Sequence, residues 1–212
     1  MPTPADPGAG NLPPTSLPER VPVAKIVPAE WWHNAHAKAP DPLEFSGAHG
    51  RFSGPELPRK VVYLAADSVG CFWECGLGRD LIKRFFSDRS LRRIQLEEQL
   101  EYTVRLDAGS LRLFDARDLA ARRLVGAHTV TCFCGEHAIA RAWARVLMEP
   151  ALKLDGILYE STRQSPTLCL ALFDTSAGAG AMMQKPELVR TAWDDPLLLT
   201  SLIAEGVSIL NP

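Results

Sequence analysis

Apolar positions along this chain fall in short strand-like runs interleaved with stretches at helical spacing. Lys60 to Ala66 (KVVYLAA) is rich in β-branched and aromatic residues and follows Gly54, Pro55 and Pro58, so it predicts a strand entered from a turn. Asp67 and Ser68 break that run. Ser68 is the expected N-cap of a helix over Val69 to Leu77 that carries Phe72 and Trp73. Helix continues or restarts over Asp80 to Phe86, and Arg89, Arg92 and Arg93 then fall in a polar connector. Glu101 to Leu106 (EYTVRL) and Leu111 to Asp115 (LRLFD) alternate as strands, with Ala108 and Gly109 as the turn of a hairpin. Arg117 to Leu124 has helical spacing and is ended by Gly126.

The clearest helix is Glu136 to Leu147, where Ile139, Ala142, Trp143, Val146 and Leu147 share one face. After a turn at Asp155 and Gly156, Ile157 to Tyr159 and Leu168 to Phe173 (LCLALF) predict two strands joined by a polar loop. Ser176 to Ala181 is small residues and glycine and predicts a mobile segment. Asp195 to Ile209 predicts a closing helix with Pro196 in its first turn. Short strands mixed with helices, without βαβ alternation, favour an α+β fold over a doubly wound sheet.

The 212 residues suit one domain with tails. Residues 1–28 hold eight prolines and few large apolar side chains, so they predict an extended arm before a folded domain over 29–212, with Val21 to Val27 laid along its surface. Glu30 to His36 (EWWHNAH) opens the folded part, and of two adjacent tryptophans at least one should be buried. The net charge of −2 gives no ground for direct nucleic-acid binding. The sequence has no apolar run of membrane-spanning length and no secretory leader. The five cysteines, odd in number and set in apolar segments, predict reduced thiols and a cytoplasmic protein.

Candidate chemistry is sparse. Thr131-Cys132-Phe133-Cys134 spaces its thiols poorly for one zinc and has no second pair, so no metal site is expected even with His128 and His137 flanking it. Glu74, among Cys71, Phe72, Trp73 and Cys75, is the strongest anomaly. Its plain reading is a glutamate on a helix surface; its functional reading is a carboxylate wanted in an apolar site. Arg51, between Gly50 and Phe52, either packs its stem on the phenylalanine or presents a fixed fork to phosphate or carboxylate. Tyr63 reads as a core tyrosine with a satisfied hydroxyl, and Ser161 as a turn residue closing GILYES.

Their order nevertheless resembles the RES-domain family, named for an arginine, a glutamate and a serine. The resemblance runs from about Val21 to Phe173 through DPLEFSGAHGRFSG, VVYLAADSVGCFWE and DGILYES, with a helix of the form xxxAxxWAxxL before the last. It implies a toxin of a toxin–antitoxin pair, neutralised by an Xre-type antitoxin. The toxin degrades NAD by cleaving the nicotinamide–ribose bond, with water or phosphate as acceptor. It also implies a compact curved β-sheet core with surrounding helices, similar to the ADP-ribosyltransferase core, with NAD as substrate and no permanently bound cofactor. Arg51, Tyr63, Glu74 and Ser161 match the catalytic set of the family, and Arg51, Tyr63 and Ser161 also serve NAD binding. His33 joins the NAD-binding set: many members carry arginine in an l-[YW]-R-v-h pattern, where this chain reads Trp31-Trp32-His33-Asn34. A neutral imidazole holds a diphosphate less firmly than a guanidinium. The alternatives are an ADP-ribosyltransferase acting on a macromolecule and a weakened NAD-binding or partner module.

Overall fold

A computed structural model describes residues 21–24, 28–39, 41, 43–45, 47, 50–74, 77–78, 81, 89–107, 111–125, 137–161, 167–174 and 183–211. In chain order it contains β1 (Glu30–His36), β2 (Val61–Ala65), α1 (Ser68–Glu74), β3 (Ser90–Arg92), α2 (Arg93–Glu97), β4 (Gln99–Arg105) and β5 (Leu113–Asp115). There follow α3 (Leu119–Val125), α4 (His137–Leu147), β6 (Gly156–Glu160), β7 (Leu168–Phe173), β8 (Glu187–Thr191), α5 (Pro196–Ala204) and β9 (Ser208–Leu210). The α+β expectation holds as a seven-stranded mixed sheet in the order β5-β6-β7-β2-β1-β4-β8, with β3 and β9 as a separate parallel pair.

The sheet loosens at one seam. β2 pairs with β7 over its whole length, and β1 with β4 likewise, but β1 and β2 share only the pair Trp32–Ala65. Alternation along the strands separates two cores. One face carries Val61, Ala65, Ile157, Tyr159, Cys169, Ala171 and Phe173, covered by Trp143, Ala144 and Leu147 of α4, with Trp32 and Tyr63 packed against it. The other carries Trp31, Val62, Leu64, Leu158, Leu170 and Leu172. A third core joins Phe72 and Trp73 of α1 to Leu91, Leu96, Leu198 and Leu202. Trp31 is fully buried and Trp32 partly so, as two adjacent tryptophans on an alternating strand must be.

Several expectations need correction. Glu101–Leu106 and Leu111–Asp115 are not a hairpin: β4 lies between β1 and β8, and β5 runs parallel to β6 at the opposite edge. Two alternating runs near a glycine look alike whether they pair with each other or with distant strands. Arg92 and Arg93 do not sit in a connector; they end β3 and begin α2. The closing helix stops at Ala204, because Gly206 takes a left-handed φ of 73° and the chain then extends into β9. Pro196 does occupy its first turn. The strand β8 had no expectation at all. Its alternation is masked by exposure, as Leu188 and Val189 both face solvent on an edge strand.

The cap of α1 is Asp67 rather than Ser68. The Gly70 amide donates to Asp67 Oδ1 at 2.6 Å and the Cys71 amide to the Asp67 carbonyl at 3.1 Å. Ser68 instead turns its hydroxyl to Asp195, which a cap could not do. The α4 face is centred on Ala140, Trp143, Ala144 and Leu147, with Ile139, Ala142 and Val146 at its margin. Residues 22–24 run along the outer edge of β5, where Val23 bridges Phe114 and the Ala24 amide donates to the Leu113 carbonyl. Asp80 to Phe86 apart from Leu81, the Ala108–Gly109 turn, Gly126, Thr131 to Cys134 and Ser176 to Ala181 lie outside the described residues.

Candidate active site

Three distant segments meet at the end of α1. Glu74, its last residue, has a side chain 10% exposed. Ser161, directly after β6 and buried, donates its hydroxyl to Glu74 Oε1 at 2.5 Å. Arg51 brings Nη2 to 3.9 Å from Glu74 Oε2, and its side chain is 6% exposed. This serine and arginine hold the carboxylate. The guanidinium therefore lies against the carboxylate in this state.

Tyr63 acts on this group through the chain. Its hydroxyl accepts from the Phe52 amide at 2.8 Å and meets Ser53 Oγ at 3.2 Å, while the Gly50 amide donates to the Ser53 carbonyl at 2.9 Å. The turn that carries Arg51 is thus pinned to β2. A Cβ on Gly50 would press on Ser53 Oγ and lie 2.9 Å from the Tyr63 hydroxyl, so a larger residue there must displace the side chains that pin the turn. Phe52 packs edge-on against Tyr159, ring centres 5.1 Å apart, and the Arg51 guanidinium stands 5.6 Å from the same ring centre. Burial raises the Tyr63 phenol above its ordinary range, and burial with the nearby Glu74 charge raises Tyr159 further, so both stay neutral donors at any physiological pH.

Tyr63→Phe should keep the packing and remove the acceptor of the Phe52 amide. A stability loss of roughly 1–2 kcal/mol is expected from denaturant titration.

His33 sits apart from this group. Alternation along β1 sends its side chain off the sheet on the face of Trp31, opposite Trp32 and Asn34. Its Nδ1 lies 2.9 Å from the Tyr63 carbonyl. A carbonyl only accepts, so Nδ1 carries the proton, and the ring closes the seam between β1 and β2.

A second polar group lies across the seam on the site face. Arg190 Nε donates to Glu101 Oε2 at 2.8 Å, and its Nη2 lies 2.7 Å from Asp195 Oδ2, which also accepts from Ser68 Oγ at 2.6 Å. The Arg190 guanidinium stands 5.3 Å from the Trp32 ring centre. Burial pushes Glu101 up to about 7 against the pull of Arg190. For Asp195 burial also acts upward, but its hydrogen bonds from Ser68, Leu198 and Leu197 and the Arg190 charge outweigh it and hold the carboxyl below its ordinary value. The signs differ. Glu101 binds a proton more tightly folded than unfolded, so its contribution to stability is full below about 4.5 and fades as pH rises through about 7. Asp195 contributes above its ordinary value of 3.8 and fades as acid protonates it. Urea midpoints should therefore fall between pH 5 and pH 8, and Glu101→Gln should flatten that slope.

Sequence reasoning reached Arg51, Tyr63, Glu74 and Ser161, which the fold brings together, and His33, which it places on the Tyr63 backbone. It missed Tyr159, although Tyr159 stands two residues before Ser161 and so on its face. Glu101, Arg190, Asp195 and Asn34 carried no local signal, because only strand pairing collects them. Among the described residues there is no group of three metal-binding side chains and no helix long and apolar enough to cross a membrane. Cys71 and Cys169 are buried thiols.

The RES domain family model matches residues 18–194 of the chain. Among solved structures the fold is similar to one described as the crystal structure of the M. tuberculosis MbcT-MbcA toxin-antitoxin complex. The TM-score is 0.58 at 18% identity, over 82% of this chain and 88% of that one. At that identity the likeness speaks for the fold. The comparison with curated proteins gives no match.

Proposed function

The chain belongs to the RES-domain family, and on that footing we propose that it is an NAD-degrading toxin that cleaves the nicotinamide–ribose bond. One observation carries the reading: a buried carboxylate, Glu74, is fixed by Ser161 and faced by Arg51 where α1, the Gly50–Ser53 turn and the end of β6 converge. The bond between ribose C1′ and the pyridinium nitrogen breaks with its electron pair passing to nitrogen, so nicotinamide leaves neutral. Positive charge grows on C1′ and the ring oxygen. Glu74 opposes that charge, and because Ser161 already orients it, no reorganisation is needed as the charge appears. Arg51, next to the carboxylate, takes a phosphate of the dinucleotide and sets the ribose in register. Water or phosphate then bonds to C1′; with water, one proton is released and ADP-ribose results.

In this reading Tyr63 and His33 position the site rather than react, the protein works in the cytoplasm, and an Xre-type antitoxin neutralises it. The complex named for the similar structure is itself a toxin-antitoxin complex, which supports the partner's class. Incubating the purified protein with labelled NAD tests the reaction. Free nicotinamide with soluble ADP-ribose or its phosphate is expected. Label on protein or nucleic acid would move the reading to a macromolecular ADP-ribosyltransferase, and saturable binding without any product would leave a binding module.

A further inference from the structure

Asn34 is a buried asparagine, 9% exposed, and neither Nδ2 nor Oδ1 has a hydrogen-bond partner. Buried amides are nearly always satisfied, so an orphaned one calls for a partner from outside the chain, a water or a ligand group. Its cross-strand neighbour is Glu101, 1% exposed, whose Oε2 takes Arg190 while Oε1 has no partner. Two unmet acceptors and one unmet donor group thus lie side by side.

Their place in the sheet is specific. Trp32 pairs with Ala65; two residues on along β1 comes Asn34, and two residues back along β2 comes Tyr63. Both therefore share the face that holds Arg51, Glu74 and Ser161, across the seam where β1 and β2 cease to pair.

We propose that Asn34, with Glu101 beside it, is a subsite that reads a primary carboxamide, the nicotinamide carboxamide of NAD. An asparagine amide and a primary carboxamide complete each other: the ligand N–H donates to Oδ1 and its carbonyl accepts from Nδ2. The second ligand N–H meets Glu101 Oε1. A phosphate or a carboxylate has no donor for Oδ1 and would face the Glu101 carboxyl. A hydroxyl satisfies at most two atoms of the three, accepting from Nδ2 and donating to one oxygen. The assignment rests on the NAD reading above for the identity of the ring that carries the amide.

The test compares NAD with its deamido analogue, in which a carboxylate replaces the carboxamide, on the full chain. Wild type should favour NAD by at least about tenfold in kcat/KM, since a site left with unpaired buried polar atoms rejects the analogue. Asn34→Leu, similar in volume, should lose most of that preference at an unchanged or higher Tm. A preference kept within about twofold by a folded Asn34→Leu would overturn the proposal and leave a structural, water-filled pocket only. Should Asn34→Leu fail to fold, wild type decides alone: benzamide should raise its Tm and benzoate should not, and equal shifts overturn the subsite. Free glutamine at the same concentration should be silent; a shift equal to that of benzamide would assign the site to a peptide side chain instead and overturn the nicotinamide assignment. If NAD is neither bound nor cleaved but the benzamide preference survives and vanishes in Asn34→Leu, the subsite stands and the NAD-degrading reading fails.

Discussion

Glu74→Gln is expected to lower nicotinamide release from NAD by roughly 10²- to 10³-fold, about 3–4 kcal/mol in the barrier. Glutamine keeps the size of the side chain and an oxygen for the Ser161 hydroxyl, so the hydrogen bond at Oε1 survives. What disappears is the negative charge beside the ribose. The loss should fall on kcat, because the charge it opposes is absent from bound NAD and appears only as the bond breaks. Single-turnover assays with chromatographic detection of nicotinamide measure this directly. Release within a few-fold of wild type by a folded Glu74→Gln would remove Glu74 from the chemistry and, with it, the proposed reaction.

Glu74→Ala is expected to lose stability as well as activity, by about 3–5 kcal/mol, because it leaves the buried Arg51 guanidinium without its carboxylate. In a chain of this size that corresponds to a fall in Tm of roughly 10 °C. Arg51→Met alone should also cost stability, because the Glu74 charge keeps the Ser161 hydroxyl but loses the guanidinium. The informative variant is the double one, Arg51→Met with Glu74→Leu. Removing both charges removes the uncompensated one, so the double variant should regain much of the stability lost by either single change while staying inactive. Additive losses in the double variant would mean that the 3.9 Å approach is not an energetic pair. Differential scanning fluorimetry on wild type, Arg51→Met, Glu74→Leu and the double variant completes that cycle.

The individual strands and the α4 helix were legible locally: Lys60–Ala66 and Leu168–Phe173 are short apolar runs that the fold buries on both faces, and His137–Leu147 repeats its apolar residues at helical spacing. Strand partners were not legible. The hairpin expected between Glu101–Leu106 and Leu111–Asp115 failed because alternation says which side chains face the core and nothing about the neighbouring strand. The cap was misplaced by one residue for a similar reason. Asp67 and Ser68 are both good caps, and the choice was made by Asp195, more than a hundred residues away, which draws the Ser68 hydroxyl to itself.

From the chain came the candidate residues of the proposed reaction: Glu74 stood out locally as a carboxylate amid aromatic residues, while Arg51, Tyr63 and Ser161 had plain local readings and joined it through the resemblance to the RES-domain family. Tertiary structure alone decided how they divide the work: that Arg51 sits on Glu74, that Tyr63 clamps a turn, and that His33 faces the other side of the sheet from Asn34. The physical reason is distance along the chain. Ser161 and Glu74 lie 87 residues apart, and Asn34 and Glu101 come side by side only because β1 and β4 pair, so no local pattern encodes either contact.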